Sequence, residues 1–351
     1  MNKITTIAGI ALIVFAFQFC SKKNSTSTPV TGLAPVLPAT TFSYVVSYPL
    51  HIQQALTAAN NTPANNAITN DGATLGRVLF YDKQLSKNNT VSCGSCHQQK
   101  FSFDDNVALS KGFEGGLTSR NSMAILNLRF YQNGRMFWDE RAPSVEKQAL
   151  QPIQNHVEMG LTLSELETKV KALNYYPSLF QKAFGSDQID SIQIAKALGQ
   201  FERSIVTYQS KYDRVKQGLE TFTPAEAQGE QLFLTAGDAN KCAGCHTPPM
   251  FLNSAPVAGF ALADATDKGI NNQNNFKCGS LRNISVRNNL FHNGSVANIQ
   301  AMLTAGAPGS GTPPIPLHSV APQDVQSLLA FLNTITDNTI INEVKFSDPF
   351  K

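Results

Sequence analysis

Cys93-Gly94-Ser95-Cys96-His97 and Cys242-Ala243-Gly244-Cys245-His246 spell C-x-x-C-H twice, once in each half of the chain. The spacing has a chemical reason. Two thiols so placed can add across the vinyl groups of one porphyrin, and the His that follows is then held beneath the iron as its proximal ligand. With six Cys and six His among 351 residues, about 0.002 such matches are expected by chance, the relevant measure of false-positive risk. A C-x-x-C pair alone would also suit a redox dithiol or half of a zinc site. Zinc requires no His after each pair, and an exported chain is a poor setting for free thiolates. The motifs therefore predict two covalently bound haems c, one on Cys93, Cys96 and His97 and the other on Cys242, Cys245 and His246. Cys278 is left over and reads as a buried free thiol.

Working outward, the flanks of the two motifs repeat. Gly76-Arg77-Val78-Leu79-Phe80 precedes the first and Gly229-Glu230-Gln231-Leu232-Phe233 the second, while Arg120-Asn121 and Arg282-Asn283 follow them. Ordered self-similarity of this kind predicts two related modules in tandem. The remaining pattern is helical. Ile194, Leu198, Phe201, Ile205, Tyr208 and Tyr212 fall on one face of a predicted long helix. Thr162-Leu163-Ser164-Glu165 is a capping box, Thr223-Pro224 opens a helix with Pro at its first position, and Val325, Leu328, Leu329, Leu332 and Ile335 mark the last helix. No sustained alternation suggests a large sheet. The predicted fold is all-α, with two tandem cytochrome c-like haem domains. The expected divisions are an export or lipoprotein signal over 1–20, a flexible tether over 21–39, an N-terminal haem domain over 40–217 and a C-terminal haem domain over 218–351.

Composition fits a soluble globular chain, with 42% hydrophobic and 15% charged residues. A net charge of +3 without a Lys/Arg-rich run gives no reason to expect nucleic acid. Lys3 and the apolar run Ile7 to Phe19 form an export segment too short to span a bilayer stably. Cys20 ends it. A Cys there suits lipidation after cleavage, although Phe19 is larger than such sites prefer; a plain secretory signal or an uncleaved anchor are the other readings. All three place the body of the protein outside the cytoplasm, in the periplasm or cell envelope.

Between the haem motifs lie Phe137-Trp138-Asp139-Glu140-Arg141-Ala142, then Gln148, Pro152, Ile153, Val157, Glu158 and Met159. Together with both motifs and the Arg-Asn pairs, this set resembles the bacterial di-haem cytochrome c peroxidases and the related di-haem oxidases that build tryptophan tryptophylquinone. The resemblance runs from about Leu75 to the C-terminus. It implies an N-terminal haem that reacts with hydrogen peroxide and a C-terminal haem that passes electrons in from a small cytochrome c or cupredoxin, with a homodimer as one admissible assembly. It also implies roles: Glu158 as distal acid-base, Gln148 as its polar neighbour, and Trp138 between the haems. A calcium ion would be held by Asn121 and the backbone carbonyls of Arg287 and Asn289, sound chemistry for a hard cation. Residue chemistry agrees with the first of these roles. Heterolysis of peroxide needs a proton moved from one oxygen to the other, which a positioned carboxylate does well. Taken alone, Glu158 would more often be a solvated helix residue and Trp138 core packing.

Departures from the family pattern matter as much. Many members carry a His between the first motif and the following Arg-Asn pair, where it blocks the reactive iron; this chain has Phe113, which cannot ligate. Glu140 stands where Gly is usual. The distal Met or Tyr of the second haem is expected fourteen residues beyond His292, which here is Gly306. Met302, one helical turn earlier, is the expected substitute. The rival functions are a di-haem oxidase acting on a partner protein and a non-enzymatic electron carrier, which Glu158 and Gln148 would not serve.

Overall fold

The computed structural model describes residues 33–235, 242–254, 267–273, 275–306, 318 and 320–350. The Cys20 signal and the start of the tether lie outside the described residues. The first half contains α1 (Leu50–Ala59), α2 (Asn70–Tyr81), α3 (Cys93–Cys96), α4 (Val145–Gln154), α5 (Leu163–Ala172), α6 (Tyr176–Phe184) and α7 (Ser191–Ser204). A short connector, α8 (Lys211–Lys216), leads to α9 (Pro224–Thr235), α10 (Cys242–Cys245), α11 (Ile299–Leu303) and α12 (Pro322–Thr334). Among the described residues β-pairing is limited to isolated bridges, so the all-α expectation holds.

Each module is a crossing of two helices over a C-x-x-C-H turn. In the first, α2 packs against α7; in the second, α9 packs against α12. The glycines flagged by the repeat make these crossings possible. A Cβ on Gly76 would sit 2.0 Å from the Ala197 carbonyl oxygen, and one on Gly229 would sit 1.9 Å from that of Ser327. Only a residue without a side chain permits backbones that close. Matching aromatics fill the space beside the crossing. Phe80 lies 5.2 Å from Phe201 and Phe233 lies 5.4 Å from Phe331, centroid to centroid. Phe201 and Phe331 are fully buried, and each such burial is worth about 1.5–3 kcal/mol.

The structure corrects the register of the repeat. Asn283 corresponds to Asn127, not to Asn121. Asn127 and Asn283 both adopt the left-handed conformation, with φ of 60° and 58°, and each starts a 3-10 turn, over Leu128–Phe130 and Ile284–Val286. Their backbone N–H groups donate to Ile205 and Ile335, at the ends of α7 and α12. Asn121 is engaged differently, as described below. The neighbouring arginines differ too: Arg282 makes a buried bidentate pair with Asp213, which also accepts from His51 of α1 at 2.9 Å.

The predicted long helix over 194–212 is broken. It ends at Ser204 because the chain beyond is recruited elsewhere. The Thr207 N–H donates to the Asn127 side chain, and those of Tyr208 and Gln209 donate to Asp337. Ser210 then caps α8 through the Asp213 N–H. These partners are far apart in sequence, so helical periodicity could not announce them. The Thr162 capping box forms as expected. The C-terminal tail crosses back to the first module: the Tyr81 hydroxyl donates to the Phe346 carbonyl at 2.7 Å, Arg77 Nε donates to that of Ser347 at 2.6 Å, and Ile340 and Phe346 join the first core.

Candidate haem cavities and active site

Both C-x-x-C-H turns are built the same way. The backbone N–H of His97 donates to the Cys93 carbonyl at 2.9 Å, and that of His246 to the Cys242 carbonyl at 2.7 Å, so each sequence closes one helical turn. In the first, Ser92 and Ser95 form a reciprocal cap. His97 Nδ1 faces the Phe103 carbonyl oxygen at 3.2 Å and His246 Nδ1 faces that of Phe251 at 3.3 Å. A carbonyl at Nδ1 fixes the tautomer that leaves Nε2 for iron. Phe103 and Phe251 pay for that placement with left-handed backbones, φ 58° and 53°, uncommon for bulky residues. Burial pushes both imidazoles below their ordinary pKa; for His246, with a smaller push from the positive charge of His318, the value falls to about 4. The neutral ring is the form that binds a metal. Cys93, Cys96, Cys242 and Cys245 are not joined in disulfides. The donor set thus fits haem c in both modules.

A cavity of about 780 Å³ adjoins His97, with Gln148, Pro152, Asn155, His156 and Glu158 on its wall, a size typical of ligand pockets. Local chemistry aims this wall. Ser144 caps α4 by accepting the Lys147 N–H, and the helix runs through Pro152 to end at Gln154, where the Asn155 N–H bonds back to the Gln151 carbonyl. The Asn155 side chain then accepts the N–H groups of Val157 at 2.8 Å and Glu158 at 3.4 Å, turning the chain back. Gly160, at φ 74°, completes the turn. Half-buried Glu158 has its pKa raised by burial, with Arg141 opposing the shift. Phe113 does not line this cavity. Its N–H donates to the Glu158 carbonyl at 3.1 Å, and its ring lies where a side chain on Gly160 would be. Leu117, Thr118 and Ser119 of the same loop reach the cavity instead.

Trp138 lies on the walls of both cavities. Its Nε1–H donates to the Asn121 carbonyl at 2.8 Å, and its ring meets His292 edge-on at 6.5 Å. Trp138 and His292 are themselves repeat partners, each following a phenylalanine in the left-handed region, Phe137 at φ 72° and Phe291 at φ 71°. Glu140 also has positive φ, 55°, which explains why Gly is usual there. Its carboxylate is held by Asn133 and by Lys277 Nζ at 3.3 Å. Burial brings the Lys277 ammonium down to about 8 against the attraction of Glu140.

The residues expected at calcium meet around one loop. Asn121 Nδ2 donates to the carbonyls of Val107 and Ala108, at 3.2 and 3.1 Å, and Asn289 Nδ2 donates to that of Asn106 at 3.2 Å. The Arg287 guanidinium faces Asp104 at 3.8 Å. Among the described residues, no group of three or more His, Cys, Asp or Glu is arranged to hold a metal ion. The second cavity, beside His246, is lined by Met302 and also by His318. Sequence reasoning missed His318, because nothing near it in the chain marks it as facing a haem motif. Cys278 is buried, with Sγ 3.3 Å from His246 Nδ1.

The family model described as di-haem cytochrome c peroxidase matches residues 70–221. The cytochrome c551 peroxidase of Nitrosomonas europaea is 34% identical over 283 residues, covering 76% of this chain and 80% of the relative. The methylamine utilization protein MauG of Methylorubrum extorquens is 30% identical over 290 residues, covering 78% and 80%. Among solved structures, a MauG-like protein associated with microbial copper homeostasis superposes with a TM-score of 0.74 at 28% identity, covering 88% of this chain and all of that one. The chain belongs to the di-haem cytochrome c peroxidase and MauG family of oxidoreductases.

Proposed function

We propose that this protein is a di-haem c-type peroxidase that reduces hydrogen peroxide to two waters, consuming two protons and two electrons from a small cytochrome c or cupredoxin. The observation that carries the reading is the wall of the first cavity, where a half-buried carboxyl, Glu158, and an amide, Gln148, share one chamber with His97. The haem, when bound, supplies the electrons that break the O–O bond. Glu158 takes the proton from one peroxide oxygen and returns it to the other; its raised pKa keeps that exchange closer to neutral pH than an ordinary carboxyl would. Gln148 orients the peroxide and meets developing charge with a fixed dipole. Trp138, shared by both cavities, stands on the path between the centres.

Two further elements belong to the same reading. Calcium would bridge the modules at Asn121 and the carbonyls of Arg287 and Asn289, close to the loop that already collects Asn121 and Asn289. The N-terminal segment supports export to the periplasm or cell envelope, with a lipid tether at Cys20. The test is a steady-state assay of the holoprotein with peroxide and a reduced small cytochrome c. Oxidation of the cytochrome well above the uncatalysed rate is expected; oxidation at the uncatalysed rate would remove the peroxidase reading. A second reading is an oxidase acting on a bound partner protein: Gly306 lacks the distal Met of the peroxidases, which mildly favours it, and also lacks the Tyr of the quinone-forming branch, which disfavours it. It would show peroxide consumption by the ferric protein without turnover of small cytochromes.

A further inference from the structure

The second cavity is lined by both His246 and His318. His246 enters it from the C-x-x-C-H turn, and the rest of the wall is largely apolar, with Leu281, Ile284, Leu290 and Phe291. Gly306, with φ 79°, has no side chain to offer. Several other donors near the cavity are committed. Cys278 lies on the side of His246 itself, its thiol directed to the Cys245 carbonyl at 2.8 Å. His292 is stacked on Phe276 at 3.8 Å and faces Asp267 at 3.3 Å. Lys277 and Arg287 are cations paired with Glu140 and Asp104. Met123, Met302 and His318 also line this cavity and can each donate an electron pair to iron; Met123 is shared with the first cavity, where its backbone bonds to His97.

We propose that His318, not Met302, is the distal ligand of the C-terminal haem, giving that iron two imidazoles. Met302 is buried on α11 and packs in the second core with Leu303 and Ile299, where an unbranched thioether fills space well. His318 is partly exposed, with its ring edge-on to Phe291 at a centroid distance of 5.5 Å, on the same wall. Imidazole is the commonest side-chain metal ligand. Bis-imidazole ligation gives a lower haem potential than His-Met ligation, because a methionine ligand raises it. The C-terminal haem would then be a stronger reductant toward its partner haem than the usual arrangement allows, and its electron donor must be correspondingly low in potential.

The inference rests on the reading of a haem in each module, so the experiment begins with a haemochrome count on the purified holoprotein. Ferric spectra follow: electron paramagnetic resonance and near-infrared absorption of the parent, Met302→Leu and His318→Ala. The expected parent has two haems, with the second low-spin and no sulfur-to-iron charge-transfer band. Met302→Leu should preserve that spectrum. His318→Ala should turn the second haem high-spin, or bring in a sulfur band as Met302 moves onto the iron, with a rise in midpoint potential. A parent sulfur band abolished by Met302→Leu would overturn the assignment while leaving the two-haem reading intact, as would a second haem unchanged by His318→Ala. A count of one haem per chain would overturn both.

Discussion

The two modules share a frame and differ in what the chain builds over it. Gly76 and Gly229 close equivalent helix crossings, Asn127 and Asn283 tie equivalent turns to the ends of α7 and α12, and the Phe103 and Phe251 carbonyls orient equivalent histidines. Between Asn127 and α7 the first module inserts α4, α5 and α6; between Asn283 and α12 the described residues of the second hold only the five-residue α11. The larger insertion brings Gln148 and Glu158 to the first cavity, whereas the smaller brings Met302 and His318 to the second. On the proposed reading one frame supports two kinds of iron site. There the covering segment, and not the C-x-x-C-H turn, decides whether the site over the haem offers proton-transfer groups or another ligand.

The largest effect should come from breaking the frame in one module at a time. His97→Ala is expected to abolish reaction with peroxide, while His246→Ala should leave some reaction of the first haem but stop its resupply by a reduced cytochrome. Rapid mixing of each holoprotein with peroxide, then with reduced donor, separates the two. Equal losses in both steps for both variants would show that the modules do not divide the work.

Next is the covering segment itself. Glu158→Gln should retain both haems and slow the peroxide step by about 10²–10⁴-fold, the span of a general acid-base group. The pH dependence carries a sign. Glu158 accepts a proton only when ionised, and burial raises its pKa, so the rate should fall as pH drops through a value above the roughly 4.3 of a free Glu. In Glu158→Gln that limb should disappear. A limb that survives unchanged would assign the titration to another group.

A smaller effect tests whether the frames are equivalent. Gly76→Ala and Gly229→Ala each force a Cβ against a backbone carbonyl oxygen, at 2.0 and 1.9 Å. Overpacking of this kind costs about 1–3 kcal/mol, and the two losses should be similar. Denaturant unfolding followed at the Soret band of each variant measures them. A large loss at one position with none at the other would deny the repeat its structural meaning.

How much of this was legible in the sequence depends on the range of the interaction. The C-x-x-C-H turns, the Thr162 cap and the glycines before each motif are local patterns, and they stand where expected. Gln148, Glu158 and Trp138 were found by resemblance, and all three reach the first cavity. What failed was non-local. The repeat register slipped to Asn121 because Arg-Asn occurs by coincidence in both flanks, whereas the true partner, Asn127, is defined by its backbone and its bond to Ile205. The long helix was cut short by Asn127 and Asp337, distant in sequence. The oddity of Glu140 lies in its backbone, whose positive φ no side-chain pattern announces. His318 is visible only once the chain has folded around His246.

The smallest expected effect concerns His156, and it sharpens the contrast between the cavities. His156 lies on the wall of the first cavity, two positions before Glu158, so it is the imidazole best placed to turn that site into a two-ligand centre like the one proposed for the second haem. Its residue is exposed, and the Asn155 side chain holds the following turn by accepting from Val157 and Glu158. His156 and Glu158 both line the chamber, but Glu158 is the more buried and His156 is open to solvent. Phe113, the residue at the blocking position of many relatives, braces the turn from outside and cannot ligate. The first haem should therefore be five-coordinate or weakly water-bound in the oxidised protein, and it should react with peroxide without prior reduction. His156→Ala should leave its high-spin paramagnetic resonance signal intact. The peroxide rate should stay within about threefold of the parent, far short of a general acid-base loss. A parent that is wholly low-spin and inert to peroxide until reduced, with His156→Ala releasing a high-spin signal, would show that both modules close their irons with a second histidine.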